Sequence, residues 1–448
     1  MEWISGLLST LAIFGAAIFI LVFIHELGHF LAAKFFGMRV DRFSIGFPPK
    51  IFGFKRGETE YVLGATPLGG YVKIAGMIDE SMDTDFIDEE PDEDEFRSKP
   101  VWQRIIVILA GVIFNGILAF FIFTGLGWQY GESVFPVDSI EGIYVPEESL
   151  ASEMGFQTGD RPIGVNGERV DYFHQLLNPS ELTTREVSFM VEREGELVHL
   201  EAPPNFLDRL NQEDFLLLEY ALPSEVSLVQ EESPASRAGL EPGDRIVEMN
   251  GVQTDYWVQI VQIIRNHENQ ELNLTVNRGG ELLSFSLAPD PETQTIGIGA
   301  VNPIDAFDMK RLEYRFDEAL VFGYRETGNT FTGIVQGLGK LFSGTISVRE
   351  NLGGPVAIAN ITKQATDRGG WEGFWRITAF LSVTLAIMNM LPIPALDGGH
   401  FMFLAYEGIT RREPSAKVRM ALQQIGFILL IGLIILVTFN DILRSFGS

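Results

Sequence analysis

Two histidines with three residues between them carry the clearest chemical signal in the chain, in the segment His25-Glu26-Leu27-Gly28-His29. On a helix, positions i and i+4 lie on one face, so both imidazoles can reach one metal ion. Zinc fits this pattern, because zinc lowers the pKa of a bound water to about 7 and Glu26 can then take its proton. The alternative is a histidine pair at a helix end that faces interfacial water.

A catalytic zinc site takes three protein ligands and keeps one position open. The chain contains no cysteine, so the third ligand must be His, Asp or Glu. The strongest candidate is Asp397, which is followed by two glycines that let the backbone bend close to a metal, and then by His400, a second candidate. An N-cap role for Asp397, before a helix that begins near Phe401, is the alternative.

Four stretches carry no charged residue for about the length of a bilayer, for which a helix needs roughly 20 residues. They are residues 3–24, 105–131, 377–396 and 420–440. The first is not a typical cleaved signal peptide, because no Lys or Arg precedes Lys34. Ionisable groups beside such spans are costly in lipid, which favours a functional role for the His-Glu-His group.

The basic residues predict the orientation of the spans. Lys34 is the first of six Lys or Arg residues between the first span and residue 56, and four more lie between spans three and four. Short cytoplasmic flanks collect Lys and Arg, so both termini and the long segment between spans two and three should lie outside. His174, His199 and His267 fall in that segment, away from a metal site near the cytoplasmic side.

The net charge of −27 argues against a nucleic-acid partner, which would need a basic surface. Much of the acidity lies in residues 79–95, where eleven acidic and no basic residues occur. Such a run is usually solvated and disordered, and its role stays open.

The segment between spans two and three repeats itself. Residues 151–167 align with residues 235–251 at a constant spacing of 84, which indicates two small domains of one kind. Each copy is predicted to be β-rich, and the second, with Ser-Pro-Ala-Ser-Arg-Ala-Gly-Leu-Glu-Pro-Gly-Asp-Arg-Ile at 233–246, resembles PDZ domains. Such domains capture peptides by strand addition, although a role as a sieve or spacer is equally open.

After the repeats, apolar residues recur at helical spacing: Phe331, Ile334, Val335, Leu338 and Leu341. It predicts an amphipathic helix at the outer membrane surface. A helix packed on the repeats is the alternative.

Taken together, His25-Glu26-Leu27-Gly28-His29 and the segment from Asn389 to Gly399, Asn-Met-Leu-Pro-Ile-Pro-Ala-Leu-Asp-Gly-Gly, resemble the site-two protease family. The tandem insert resembles that of one branch of the family. Members of this branch act in a stress response at the bacterial inner membrane, where they cleave a membrane-spanning anti-sigma factor already trimmed by another protease. The resemblance implies that His25, His29 and Asp397 bind Zn²⁺ and that Glu26 activates water.

The same resemblance assigns substrate binding to further residues. Asn389 would hold the extended substrate backbone, and Pro392 would break span three beside the ligand. Residues 59–76 would form a membrane-associated β-hairpin whose edge, at Gly69, Gly70 and Tyr71, pairs with the unwound substrate. Gly111 and Asn115 in span two are expected to line the site, although helix packing explains them equally well.

The expected fold is a polytopic α-helical membrane protein with four transmembrane helices, a membrane-associated β-hairpin and two tandem extracytoplasmic PDZ domains. The first span is expected at 1–36, the β region with the acidic run at 37–100 and the second span at 101–131. The two repeats are expected at 132–219 and 220–304, and the membrane-surface region at 305–370. The third span is expected at 371–397, and a cytoplasmic loop with the fourth span at 398–448. The expected partners are transmembrane substrates and membrane lipids.

Two rival functions remain at this point. A membrane-tethered PDZ adaptor without catalysis would explain the spans and repeats, but it gives no reason for His, Glu and Asp at membrane depth. A metal transporter would use intramembrane His and Asp, but it needs neither a Glu between the ligands nor two peptide-binding modules.

Overall fold

The structure is a computed structural model, and it describes residues 2–77, 90–140, 142–146, 149–177, 182, 187–203, 206, 219–267, 270–291, 293–302, 306–343 and 353–446. The chain forms two compact units. One comprises Met1–Gly131 and Glu313–Ser448, and the other comprises Glu132–Leu312. Most of the acidic run at 79–95 lies outside the described residues.

The first unit is helical apart from one β-hairpin. Its helices, with their bounds, are α1 (Glu2–Phe35), α2 (Val101–Tyr130), α6 (Phe316–Ser343), α7 (Pro355–Met390), α8 (Asp397–Thr410) and α9 (Ala416–Phe446). Four of these helices are long and apolar enough to cross a membrane: Leu8–Phe35, Val101–Tyr130, Pro355–Met390 and Lys417–Asp441. The prediction of four spans is therefore confirmed.

The third span differs most from its prediction. Helix α7 begins 22 residues before the predicted start at 377 and has a non-helical residue at Gly370, where φ is 56°. It ends at Met390 rather than at 396, and Pro392 and Pro394 stand in the irregular segment before α8. The predicted break beside Asp397 is therefore present.

Helix α6 contains the predicted amphipathic pattern and packs along α2 within the same unit. A Cβ added at Gly127 or Gly323 would collide with Phe322 and Thr124 respectively, so small residues bring the two helices close together. Farther along α6, Ile334 and Leu338 lie against buried residues of α2 and α7, whereas Phe331 and Val335 are exposed. The helix is thus amphipathic, and its location at the membrane surface stays a prediction.

The β-hairpin consists of β1 (Val40–Arg56) and β2 (Thr59–Ile74). Both strands fold back on themselves, so that residues 40–45 lie opposite residues 70–74, and residues 42–45 also lie opposite residues 60–63. Residues 52–56 lie opposite residues 59–63. Among the described residues, the segment 70–74 is thus an edge of the small sheet.

The second unit contains two four-stranded sheets with the same strand order, which is 168–169, 161–165, 188–193 and 196–201 in the first sheet and 252–253, 245–249, 272–278 and 281–287 in the second. The sequence repeat is therefore also a structural repeat, and its assignment to PDZ domains stays a prediction. The strands and helices of this unit are β3 (Glu132–Val134), β4 (Ile143–Tyr144), α3 (Leu150–Glu153), β5 (Arg161–Val165), β6 (Glu168–Arg169), β7 (Ser188–Arg193), β8 (Glu196–Glu201), β9 (Glu219–Tyr220), β10 (Val226–Val229), α4 (Pro234–Ala238), β11 (Arg245–Met249), β12 (Val252–Gln253), α5 (Trp257–Asn266), β13 (Leu272–Arg278), β14 (Glu281–Leu287), β15 (Ile298–Ala300) and β16 (Lys310–Leu312).

One buried ion pair recurs at the same place in both copies. Asp160 accepts two hydrogen bonds from Arg193, at 2.7 and 2.8 Å, and Asp244 accepts two from Arg278, at 2.6 and 2.8 Å. The aspartates also accept backbone hydrogen bonds from Gln157 and Glu241. Each pair joins the loop before the first sheet strand to the third strand, which explains why Gly-Asp-Arg recurs in the sequence.

Candidate active site

Helix α1 carries the His-Glu-His group on a face that is covered by protein. His25, Glu26 and His29 are 7%, 8% and 8% exposed, although Leu31, two residues later, is 44% exposed. A buried polar face on an apolar helix is expected where the ionisable groups are shielded from lipid by neighbouring elements.

Three ligand atoms converge at this face. Nε2 of His25 lies 3.2 Å from Nε2 of His29, and Oδ2 of Asp397 lies 3.1 Å and 3.4 Å from these two nitrogens. The Asp397 oxygen is buried and has no hydrogen-bond partner among the described residues apart from its short contacts with the two imidazoles. Such a cluster calls for a cation.

The spacing fits zinc. Ligand atoms at the corners of a tetrahedron, with metal–ligand bonds of about 2.0–2.1 Å, lie roughly 3.3–3.4 Å apart. The three observed separations are close to that value, and two nitrogens with one carboxylate oxygen form a donor set typical of catalytic zinc. Among the described residues, His25, His29 and Asp397 are the one group of this kind that could hold a metal.

Asp397 reaches the histidines because the chain breaks between α7 and α8. Leu396 is the N-cap of α8 and Asp397 is its first residue, so the carboxylate does not cap the helix. Ala395 has φ of 101°, which turns the chain just before the ligand. A Cβ on Gly398 would collide with the carbonyl groups of Met390 and Leu391, so glycine there lets α8 start directly against the end of α7.

A contact at the other ring nitrogen, Nδ1, orients each imidazole. Nδ1 of His29 lies 2.8 Å from the carbonyl oxygen of Val107, to which it can donate, leaving the Nε2 lone pair for a metal. Nδ1 of His25 lies 3.2 Å from the side-chain nitrogen of Asn115, whose own Oδ1 is buried without a hydrogen bond. After rotation of the Asn115 amide by 180°, Oδ1 accepts the Nδ1 proton of His25, which leaves the Nε2 lone pair of His25 for a metal.

Helix α2 approaches the site at Gly111. A Cβ there would lie 2.8 Å from Nε2 of His25 and closer still to Nε2 of His29. The predicted contributions of Gly111 and Asn115 to the lining of the site thus agree with the geometry. Both residues lie on the α2 face that also packs against α7, where the Ser382 hydroxyl donates to the Asn115 carbonyl at 2.8 Å.

The structure places some of the predicted substrate-binding residues beside the candidate metal ligands and others farther along the chain break. The side-chain nitrogen of Asn389 lies 3.3 Å from Nε2 of His25, at the end of α7, and the side chain is half-buried. Pro392 is exposed and lies in the break that follows the end of α7. Among the described residues, its side chain makes no contact with the candidate metal ligands.

In the hairpin, Gly70 lies at the site and its neighbours face away. A Cβ on Gly70 would lie 2.9 Å from Cγ of Glu26, so the sheet edge passes directly beside the expected general base. Gly69 packs against the ring of Phe47. Tyr71 stacks on the same ring, with centroids 6.3 Å apart, and its hydroxyl accepts a hydrogen bond from Arg42 at 3.2 Å.

Sequence reasoning missed one buried charged pair near the site. Arg104, in the first turn of α2, is 4% exposed and forms an ion pair with Glu407 of α8. The predicted second span began one residue later, so the arginine was left outside it. One sequence signal could have found the pair. Arg104 is a charged residue at the start of an apolar run, and Glu407 is an acidic residue in the helix that begins at Asp397.

Comparison with known proteins identifies the family. A model of peptidase family M50 matches residues 13–433. The chain belongs to this family. The regulator of sigma-E protease RseP of Escherichia coli strain K12 is 32% identical over 456 residues, which cover 97% of this chain and 98% of RseP. The zinc metalloprotease RasP of Geobacillus kaustophilus is 30% identical over the whole of both chains.

Membership of family M50 confirms the predicted site-two protease family. The protein is therefore a zinc metalloprotease, and Zn²⁺ is its cofactor. Together with the four long apolar helices, the relatives make it a multi-pass protein of the inner membrane. The adaptor and transporter alternatives are thereby excluded as the main function.

Proposed function

We propose that this protease cleaves transmembrane segments of single-span membrane proteins, at a zinc site held by His25, His29 and Asp397. One observation carries the proposal: three metal-ligand atoms converge within 3.4 Å of one another, beside Glu26 and a glycine on a sheet edge. A site that combines a metal, a base and an unpaired strand has the parts that peptide hydrolysis requires.

The residues of the chain take separate roles. When bound, zinc polarises the scissile carbonyl and makes the attacking water more acidic. Glu26 accepts the water proton on a carboxylate oxygen and passes it to the nitrogen of the leaving amine. Asn115 and the Val107 carbonyl hold the two imidazoles with Nε2 toward the metal. Asn389 donates from its amide to the substrate backbone.

The hairpin supports the unwound substrate. A transmembrane helix satisfies its peptide groups internally, so it must unwind before water can attack one of its peptide bonds. The edge at residues 70–74 offers backbone donors and acceptors to the peptide groups that become free. Because Gly70 has no side chain, the sheet edge itself can lie directly beside Glu26.

The substrate class follows the E. coli relative, whose name is regulator of sigma-E protease. We therefore propose a membrane-spanning anti-sigma factor, already trimmed outside the membrane, as the substrate. The tandem repeats would act as PDZ domains that exclude substrates with bulky outer domains. Both termini and the repeats would face the periplasm, with the metal site toward the cytoplasmic side, in line with the Lys and Arg residues after the first span.

The catalytic assignment is tested with Glu26→Gln. The purified variant should keep its zinc and lose cleavage of a single-span test substrate by at least a hundredfold, because removal of the base spares the ligands. Glu58→Gln, which changes an exposed glutamate of the same unit, is the matched control and should cleave like the wild type. Unchanged cleavage by Glu26→Gln refutes the role of Glu26 as the base.

The exclusion role of the repeats is tested by a deletion that the strand pairing makes possible. Val134 and Lys310 lie opposite each other in the β3–β16 pair, so a short turn can replace residues 135–309. The shortened protein should cut an untrimmed substrate that the wild type spares, while both cut the trimmed substrate. If selectivity is the same with and without the repeats, the exclusion role is wrong.

A further inference from the structure

Helix α2 contributes none of the three candidate metal ligands, but one of its faces orients two of them. The Val107 carbonyl oxygen lies 2.8 Å from Nδ1 of His29, and the Asn115 side chain lies 3.2 Å from Nδ1 of His25. Each contact fixes the ring whose other nitrogen points toward the metal. The third candidate ligand, Asp397, is carried by α8.

Arg104 lies on the same face of α2 and holds α8. It precedes Gly111 by seven residues, a spacing that places both side chains on one side of a helix. Its guanidinium lies over the ring of Phe96, 5.9 Å from the ring centroid, and donates a hydrogen bond to the carboxylate of Glu407. Arg104 and Glu407 are 4% and 9% exposed. The arginine is therefore a fixed anchor for the helix that begins with Asp397.

Helix α8 packs through a narrow face. After its first turn, its buried side chains are Leu404 and Glu407, and Leu404 belongs to the same buried cluster as Val107 and Ile108 of α2. Three large side chains of α8 are exposed: Met402, Tyr406 and Ile409. Contacts of a single leucine allow a helix to slide and turn slightly, whereas a charge-assisted hydrogen bond has a preferred length and direction. The ion pair thus fixes the register and the rotation of α8 on α2.

The rotation of α8 decides where the Asp397 carboxylate lies. Glu407 follows Asp397 on the same helix, about 15 Å along its axis. Side-chain atoms lie about 5 Å from a helix axis, so a turn of about 10° would move the Asp397 oxygens by roughly 0.9 Å. Ligand distances in a metal site hold to about ±0.2 Å. A small loss of register would therefore weaken metal binding.

Given the proposed zinc site, we propose that Arg104 is a positioning residue for Asp397 and acts through Glu407. One face of α2 then orients all three ligands, the histidines through Val107 and Asn115 and the aspartate through Arg104. Stability alone does not account for this ion pair, because apolar residues of similar volume often replace a buried pair without loss of stability. A fixed position for the carboxylate does account for it.

The double variant Arg104→Met/Glu407→Leu separates positioning from stability. In the zinc-free form, the full-length variant should unfold at the wild-type temperature or above it, because the pair is replaced by apolar volume. Glu413, the other acid near Arg104, is half-exposed and stays solvated. Zinc affinity, measured by chelator competition, should fall about tenfold, as for other groups that orient ligands. The visible absorption bands of Co²⁺ bound in place of zinc should change as well, because the carboxylate has moved.

The matched control is Lys363→Met/Asp367→Leu, which removes an ion pair within α7 of the same unit. It should bind zinc like the wild type. Arg104→Lys keeps the charge but lacks the rigid planar guanidinium, so its zinc affinity should lie between those of the wild type and the Arg104/Glu407 double variant. This single variant decides the question if the double variant does not fold.

Wild-type zinc affinity and unchanged Co²⁺ bands in the Arg104 variants overturn the proposal. An equal loss of affinity in the Lys363/Asp367 control overturns it too, because the effect would then not be specific to α8. Asp397→Ala distinguishes this failure from failure of the metal site. If Asp397→Ala loses zinc while the Arg104 variants keep it, only the positioning role is wrong, whereas wild-type zinc binding by Asp397→Ala refutes the proposed site and the positioning role with it.

Discussion

Gly111→Ala should remove zinc from the protein without unfolding it. The added methyl carbon would lie 2.7 Å from Cε1 and 2.8 Å from Nε2 of His25, and closer still to Nε2 of His29. Nonbonded heavy atoms prefer separations of about 3.5 Å or more, so the His25 imidazole would have to move by roughly 0.7 Å and the His29 imidazole by more. Backbone relaxation of α2 is limited, because the same face of the helix also packs on α7.

This displacement is large compared with the tolerance of a metal site, whose ligand distances hold to about ±0.2 Å. Disturbing the groups that merely orient zinc ligands typically lowers affinity 10–100-fold, so moving two ligands directly should cost at least a hundredfold. Proteolysis should fall in proportion to the zinc lost at a fixed free-zinc concentration. The assay is competition with a zinc chelator of known affinity, run in parallel with cleavage of a single-span substrate.

Gly116→Ala is the matched control, because it lies on the same helix five residues later and has no atom within 4 Å of an added Cβ. Alanine is a better helix former than glycine by about 1 kcal/mol, so this variant should be as stable as the wild type or slightly more stable. If Gly111→Ala binds zinc as tightly as Gly116→Ala, the close approach of α2 to the imidazoles is not what the structure shows, and the assignment of the site fails with it.

Three further predictions concern other parts of the molecule. Asn115→Leu removes the side chain that orients His25 and should lower zinc affinity 10–100-fold in the same chelator assay. Asn389→Leu should lower kcat/KM about tenfold through the loss of a substrate hydrogen bond, with unchanged zinc content. In the second repeat, burial of Asp244 raises its pKa, but hydrogen bonds from Arg278 and the backbone outweigh burial and set the pKa below its usual value. The ion pair should therefore stabilise the repeat above pH ~4 and cease to do so below it as Asp244 protonates, which hydrogen exchange of β11–β14 measures, with Asp244→Asn as the insensitive control.

The residues of the candidate metal site could be predicted because composition left few choices. Without cysteine and with six histidines, the chain offers few sets of zinc ligands, and the helical spacing of His25 and His29 already places two of them together. Asp397 followed from its position after an apolar span. The structure brings the three side chains together as expected, through a helix break that the prolines indicated.

The contacts that orient the ligands were harder to predict, because they depend on tertiary packing. The Val107 carbonyl that faces His29 is a backbone group, and any residue at that position would supply it. Tyr71 was expected at the sheet edge beside the substrate, but its side chain engages Phe47 and Arg42. Successive residues of a strand face opposite ways, so the residue after Gly70 could not face the same site.

The length of α7 was missed for a different reason. Its first half contains Lys363, Asp367, Arg368 and Glu372, and Arg376 follows, so a criterion based on charge-free length recognises only the part after Arg376. Lys363 and Asp367 pair with each other one turn apart on the helix, which lets charged residues continue a helix whose later turns cross the membrane.

Two segments of non-helical backbone lie at the candidate site in the membrane unit: the hairpin edge at residues 70–74, which approaches Glu26, and the break at residues 391–396, which precedes Asp397. Irregular backbone at membrane depth is tolerated only where protein buries it or where it lines a water-filled space. Gly70 is buried against Glu26, whereas Pro392 in the break is exposed and Asn389 before it is half-buried. Hydrolysis needs water as well as a metal, and the break is the element whose backbone requires that water. The same six residues that precede Asp397 are therefore the place where we expect water to reach the candidate site.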